Sequence, residues 1–229
     1  MSRIYLSYLA WPELKDMLAR EGHQICVLSP KRAVSEAISA HPDIYMCKMG
    51  TSPRSPVFAG NEALLGPVYP CDVLYNAVVT EKFLICNLKT VSPELIDASK
   101  QLYPDIITIN VAQGYTKCNM VVVDERHFIT EDEGINKAIE GYNASRRKDQ
   151  PEAVCLLVRP GSADLPGYTR GFLGGTSGRI ANEIWFNGDI TIHPDYFKIR
   201  AFIDGLGLGI RYVHGKKLTD IGSIIEEEI

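Results

Sequence analysis

The sequence predicts an α/β protein built as a ring of five small ββαβ units. This is an α/β propeller with pseudo-five-fold symmetry, closed by pairing of its N- and C-terminal strands. Three observations lead there. Gly114–Asp132 (GYTKCNMVVVDERHFITED) laid over Gly171–Asp189 (GFLGGTSGRIANEIWFNGD) puts Tyr115 on Phe172, Val123 on Ile180, Phe128 on Trp185, Ile129 on Phe186 and Asp132 on Asp189. Each stretch is followed by a helical pattern and then by an apolar run. The two chain ends hold complementary fragments of one more such unit. A two-layer α/β sandwich with chance similarity between hairpins is the alternative reading.

The second unit (71–110) is the plainest. DVLYNAVV and KFLIC flank Thr80-Glu81 as two strands and a tight turn. Ser92-Pro93-Glu94 opens a helix running to Leu102, with serine at the N-cap and proline at the first helical position. Asp105–Asn110 alternates as a β-branched strand. In the third unit (111–158), Asn119–Val123 and His127–Thr130 form the hairpin, Asp132–Tyr142 the helix and Ala153–Val158 the last strand. In the fourth (166–214), Arg179–Ala181 pairs with Ile184–Phe186, Pro194–Leu206 is the helix and Leu208–Val213 the strand. The first unit (37–70) is degenerate: Ile44–Met49 and Val57–Ala59 pair, and the helix is short or missing. The fifth joins Ile221–Glu226 to Arg3–Tyr8, a helix from Pro12 to Glu21, and strand Gln24–Leu28, so residues 1–229 make one domain. Pairing the termini removes exposed sheet edges.

Bulk properties narrow the function. With 229 residues, 45% hydrophobic and 23% charged, the chain has length for a real core. Its formal net charge of −4 and lack of a basic stripe exclude an evident nucleic-acid role. Arg146-Arg147-Lys148 reads as a solvated loop. No apolar stretch approaches the roughly 18 residues of a membrane helix, and the N-terminus lacks a signal-peptide layout, so a cytoplasmic protein is expected. The six cysteines show no metal-finger spacing and are expected as free thiols, with Cys26, Cys86 and Cys155 as packing residues. No cofactor or metal is expected, and a homo-oligomer stays open.

In such a ring the last strand of each unit crosses to the first strand of the next, so five crossing segments gather at one end of the axis. They are Ser39–Cys47, Tyr69–Asn76, Val111–Asn119, Pro166–Gly178 and Leu218–Ser223. A concave site assembled from several loops suits a small-molecule ligand. His41-Pro42-Asp43 with Cys47 offers a base, an orienting carboxylate and a thiol; a His-Pro turn beside a buried cysteine is the plain reading. His193-Pro194-Asp195 repeats the dipeptide, where ordinary helix capping competes with a catalytic His193. Lys117 beside Cys118 would favour a thiolate, against a lysine that packs elsewhere. The candidate binding residues are Asp72, Asn76, Gln113, Lys117, Asn119, Gly175, Thr176, Asp189, Asp220, Ser223 and Glu226. The Gly174–Gly178 run lacks the ending of a phosphate loop. Glu226 reads first as part of a solvated acidic tail with Glu227 and Glu228, a binding role being the alternative.

Taken together, HPDIYMC, QGYTKCNMVVVDE, LPGYTRGFLGGTSGRI, FNGDITIHPDY and TDIGSII resemble an uncharacterised bacterial family assigned to the guanidine-modifying-enzyme, or pentein, fold. The resemblance runs from about Ala37 to the end and implies a five-bladed α/β propeller of ββαβ units. Its superfamily includes arginine deiminases, dimethylarginine dimethylaminohydrolases and amidinotransferases, in which a cysteine attacks a guanidinium carbon, a histidine moves protons and acids hold the cation. The chain departs from that pattern. Ile221–Ile229 holds no cysteine where those enzymes carry theirs, and Asn87-Leu88-Lys89-Thr90 has asparagine in place of their histidine. The expectation is therefore a relocated set. Cys47 or Cys118 attacks, His41 or His193 moves protons, and Asp43, Asp72 and Asp189 hold a cationic substrate. A non-catalytic binder is the rival, since the superfamily also contains ribosome anti-association factors.

Overall fold

A computed structural model describes residues 1–229. In chain order the elements begin with β1 (Ser2–Ser7), α1 (Pro12–Arg20) and β2 (Gln24–Leu28). The single-turn α2 (Pro42–Tyr45), β3 (Met46–Lys48) and β4 (Val57–Ala59) follow. Next come β5 (Val78–Val79), β6 (Phe83–Cys86), α3 (Pro93–Leu102) and β7 (Ile107–Asn110). Then the single-turn α4 (Thr116–Asn119) leads to β8 (Met120–Val122), β9 (His127–Thr130), α5 (Glu133–Ser145) and β10 (Val154–Leu157). The chain ends with β11 (Ser177–Ile180), β12 (Glu183–Phe186), α6 (Tyr196–Asp204), β13 (Gly209–Tyr212) and β14 (Ile225–Glu228). No helix is long and apolar enough to cross a membrane.

These strands form five separate small sheets, and no sheet closes on itself. Four of the five share one topology. The middle strand runs antiparallel to the first and parallel to the last: β5-β6-β7, β8-β9-β10, β11-β12-β13 and β14-β1-β2. The last of these takes its first strand from the C-terminus and the other two from the N-terminus, with Ser2 opposite Glu228 and Tyr5 opposite Ile225. The first unit keeps only the β3–β4 hairpin.

Apolar residues gather between neighbouring sheets rather than at one centre. Val78, Phe83 and Ile109 pack with Met120, Phe128 and Ile135 between the second and third units. Val121 and Ile129 pack with Ile184, Phe186 and Ile199 between the third and fourth. Ile180 and Trp185 pack with Ile4, Leu6, Leu14 and Leu18 between the fourth and the split unit. Cys47 and Met49 pack with Val79, Leu84 and Leu95 between the first and second. The hydrophobic face of each helix thus covers its own sheet while the sheet faces seal against the next unit.

Several boundaries differ from expectation. Residues 72–76 are turns rather than strand, so β5 has two residues. Asp72 and Asn76 aim their side chains at the site described below, which an extended strand would not allow. The final strand begins at Ile225, not Ile221, leaving Asp220–Ser223 as a turn. Asp132 caps α5 by accepting the Ile135 N–H at 2.9 Å. Ser92 instead donates its hydroxyl to Glu94 at 3.1 Å, and proline at the first helical position starts α3.

The terminal strand pairing should carry measurable stability. Deleting Ile225–Ile229 exposes the β1 edge, removes the buried Ile225, and strips Glu226 from the Ser2 hydroxyl (2.8 Å) and the Ala181 N–H (3.1 Å). A loss of at least about 3 kcal/mol is expected by urea unfolding. An unchanged midpoint would contradict the role given to the pairing.

Candidate functional site

Short turns that precede the first strands place the polar residues. Pro42 opens the single turn α2, burying Asp43 and leaving His41 just before it. The α4 turn carries Lys117 and Cys118, whose N–H groups both donate to Asn76 Oδ1 at 2.7 and 3.2 Å. The turn Asp220–Ser223 returns from the far end of the chain, and the Asp43 N–H donates to Gly222 O at 3.1 Å. Gly222 has φ +68°, and a Cβ there would overlap His41. Gly175 allows the same close approach, since a Cβ on it would overlap the Asp220 carboxylate.

The result is one buried cluster. Cys118 Sγ donates to Asp43 Oδ2 at 3.0 Å and accepts from Asn76 Nδ2 at 3.3 Å. The Ser223 hydroxyl donates to the same Asp43 oxygen at 2.8 Å and accepts from Lys117 Nζ at 3.0 Å. Asp220 takes the N–H of Phe172 (2.9 Å) and of Gly222 (3.0 Å), and its Oδ1 lies 3.9 Å from His41 Nδ1. A donor atom from each of His41, Cys118 and Asp220 lies within 4.8 Å of the other two. Both ring nitrogens of His41 and Asp43 Oδ1 are buried without a partner. Buried polar atoms are usually satisfied; five others in the chain, among them Trp185 Nε1 and His193 Nε2, also lack a protein partner, but only here do three fall in one cluster.

Above the cluster lies a cavity of about 150 Å³ lined by His41, Cys118 and Asp220 together with Tyr115, Phe172 and Arg170. The Tyr115 hydroxyl is fixed by Asp72 Oδ2 at 2.5 Å, and its ring lies 6.4 Å from that of Phe172. A second cavity of about 50 Å³ lies behind the cluster. It takes residues from the first strand of every sheet: Cys47, Val79, Val122, Arg179 and Ile225 among them, with Asp43 and Lys117 at its inner end.

Burial sets the electrostatics. It pushes His41 down to about 4, so the imidazole is neutral at pH 7. It raises Asp43, and it lifts Asp220 to about 6. The Cys118 thiol stands well above its ordinary value, through burial first and then the neighbouring Asp43 and Asp220. Burial lowers Lys117. The thiol is therefore protonated at rest, and a cation brought into the cavity would favour its ionisation.

Of the expected residues, His41, Asp43, Cys118, Asn76, Lys117, Gly175, Asp220 and Ser223 come together, and Asp72 holds a wall of the cavity through Tyr115. Cys47 faces the rear cavity, donates to Ala77 O at 3.3 Å, and is pushed up to about 12 by burial. His193 lies elsewhere, its Nδ1 accepting the Asp195 N–H at 3.0 Å. Asp189 caps a turn through the Thr191 and Gly215 N–H groups. Gln113 bonds Asp132, Thr176 bonds Leu173 O, and Asn119 bonds Tyr115 O, each bracing a loop. Glu226 is buried against Ser2 and Ala181 rather than forming a solvated tail. Asn87 holds Ala112 O, outside the cavity. Sequence reasoning passed over Tyr115, Phe172 and Arg170. The aligned aromatics Tyr115 and Phe172 were the signal, since each precedes a first strand.

Residues 54–225 match the model of a Family of unknown function (DUF6873). Among solved structures, the chain is similar to agmatine deiminase from C. jejuni, with TM-score 0.52 and 11% identity over 99% of this chain and 93% of that one. A putative arginine deiminase from Porphyromonas gingivalis matches with TM-score 0.45 and 11% identity over 92% of this chain and 89% of that one. No curated protein matches. The fold is thus distantly related to that of the pentein-type deiminases.

A neutral buried His41 makes stability depend on pH. Its folded value lies below its unfolded one, so the unfolded chain gains a proton as pH falls from about 6.5 and the folded chain does not until about 4. Wild type should lose about 2 kcal/mol between pH 7 and pH 5 relative to His41→Gln. Parallel urea curves with no difference in pH dependence would contradict this placement of the ring.

Proposed function

We propose that this chain, which belongs to the DUF6873 family, is a thiol-dependent hydrolase or transferase acting on the C–N bond of a guanidino or amidino group in a small cationic molecule. We read the five sheets as blades of one ring, supported by the rear cavity that draws on the first strand of each. The observation carrying the functional reading is the thiol and imidazole that share one cavity with the buried Asp220 carboxylate, the thiol being hydrogen-bonded from behind to a second carboxylate, Asp43.

The chemistry follows from charge. An amidinium is planar and cationic, so the Asp220 carboxylate in the cavity suits it, and the Tyr115 and Phe172 rings suit its flat faces. The cavity holds roughly the volume of five waters, enough for such a head group and a short stem. A unit charge about 4 Å from the sulfur is worth about 4 kcal/mol at an effective dielectric of 20, or roughly 3 pH units of thiol acidity. Substrate binding thereby creates the nucleophile that burial suppresses.

Asp43, which already accepts the thiol hydrogen bond, takes the proton as sulfur bonds to the amidino carbon. Asp43 gives that proton to the departing nitrogen as the C–N bond breaks, and His41, neutral and without a partner, then takes a proton from the incoming water or amine and passes it to the leaving sulfur. Water or an acceptor amine then adds to the carbon, the C–S bond breaks, and the thiol recovers its proton. Lys117 and Ser223 hold Asp43 from behind.

The second reading, a non-catalytic binder of the same cations, is favoured by one observation: the resting thiol is held protonated and buried. Covalent labelling separates the two. At pH 7.5, chloroacetamidine should alkylate Cys118 at least tenfold faster than neutral chloroacetamide, with rates normalised to the exposed Cys71 in the same molecule. The adduct should vanish in Cys118→Ser. Equal normalised rates would remove the enzyme reading and leave the binder.

A further inference from the structure

We propose that His41, Cys118 and Asp220 form a three-ligand zinc site at the floor of the front cavity, which makes the sulfur less reactive while the metal is bound. The three side chains come from three different units, are all buried, and present donor atoms within 4.8 Å of one another. The second, independent sign is His41 itself. Its side chain is 1% exposed, lines the cavity, and has no hydrogen-bond partner at either ring nitrogen.

The geometry needs little adjustment. Zinc bonds of about 2.0–2.3 Å set tetrahedral donor atoms roughly 3.3–3.7 Å apart. His41 Nδ1 and Asp220 Oδ1 are already at 3.9 Å. Closing the other gaps takes shifts of about 1 Å or less, which rotation of the unpartnered imidazole and of the cysteine χ1 can supply.

Outer hydrogen bonds that orient metal ligands are also in place. The Asp220 carboxylate is fixed by the N–H groups of Phe172 and Gly222, and Cys118 by Asn76 Nδ2. A mixed sulfur, nitrogen and oxygen set suits zinc and disfavours magnesium and calcium, which take oxygen alone. Three protein ligands leave the fourth position open toward the cavity and its rim residue Arg170.

Binding replaces the S–H bond by a Zn–S bond and releases one proton to solvent, with no change of oxidation state. A sulfur lone pair committed to zinc is less available to carbon than that of a free thiolate, and the ion at the cavity floor stands in the path of an incoming reagent. Zinc occupancy therefore opposes alkylation of Cys118, whatever the natural substrate proves to be.

The test uses the full chain stripped with a chelator and then given zinc or cobalt chloride alone. Dialysis should leave one zinc per chain, and cobalt should give a near-ultraviolet thiolate charge-transfer band. Peptide mapping should show alkylation of Cys118 by iodoacetamide slowed at least tenfold by zinc, with Cys71 unaffected. Cys118→Ser should lose the band, and His41→Gln and Asp220→Asn should bind at least tenfold more weakly with unchanged far-UV circular dichroism. If a variant misfolds, the cobalt spectrum of the wild type still decides. Substoichiometric zinc, equal binding by Cys118→Ser, or undiminished alkylation of Cys118 overturns the proposal. None of these readouts involves an amidino compound, so the outcome stands apart from that of the reading above.

Discussion

Everything at the site depends on one contact between segments about 180 residues apart, the Gly222–Ser223 turn pressed onto His41–Asp43. The Asp43 N–H donates to Gly222 O, and the Ser223 hydroxyl donates to the Asp43 carboxylate. Gly222 gives up its side chain to let His41 pack against its backbone. Ser223 accepts a left-handed backbone, φ +73°, to aim its hydroxyl inward. Residues this distant meet because β14 pairs with β1, completing the same strand topology that the middle of the chain repeats three times.

The cluster is expensive to fold. Two carboxylates, an imidazole, a thiol and a lysine stand where burial disfavours the charged form of each. Stability comes from elsewhere, chiefly the apolar contacts between neighbouring sheets, which let the centre remain polar. Local strain and unpartnered buried atoms that persist against such a cost are features of sites that bind something. The shared Asp43 oxygen is the pivot. It receives the thiol, the serine hydroxyl and, through the serine, the ammonium of Lys117.

Much of this was legible in the residues. The overlay of Tyr115 on Phe172 and Asp132 on Asp189 located the hairpins, and the orphan fragments at the two ends located the pairing of the terminal strands. Hydrophobic period sufficed there because each strand has a face to bury. The roles of single polar residues were less legible. His193 shares the His-Pro-Asp motif with His41, yet its Nδ1 closes a local turn by accepting the Asp195 N–H, much as Asp189 accepts that of Thr191. A motif does not distinguish a capping bond from a bond between units. Residues 72–76 carried a strand pattern, but Asp72 and Asn76 are committed to partners in the third unit, and that tertiary demand overrides the local preference.

The most direct measurement is a double-mutant cycle between Asp43→Asn and Ser223→Ala, read by urea unfolding at pH 7. If the hydroxyl from the chain's end donates to the carboxylate near its start, the two effects should be non-additive by about 1–3 kcal/mol. Strict additivity would mean that the two segments do not meet as described, and the site built on their contact would fall with it.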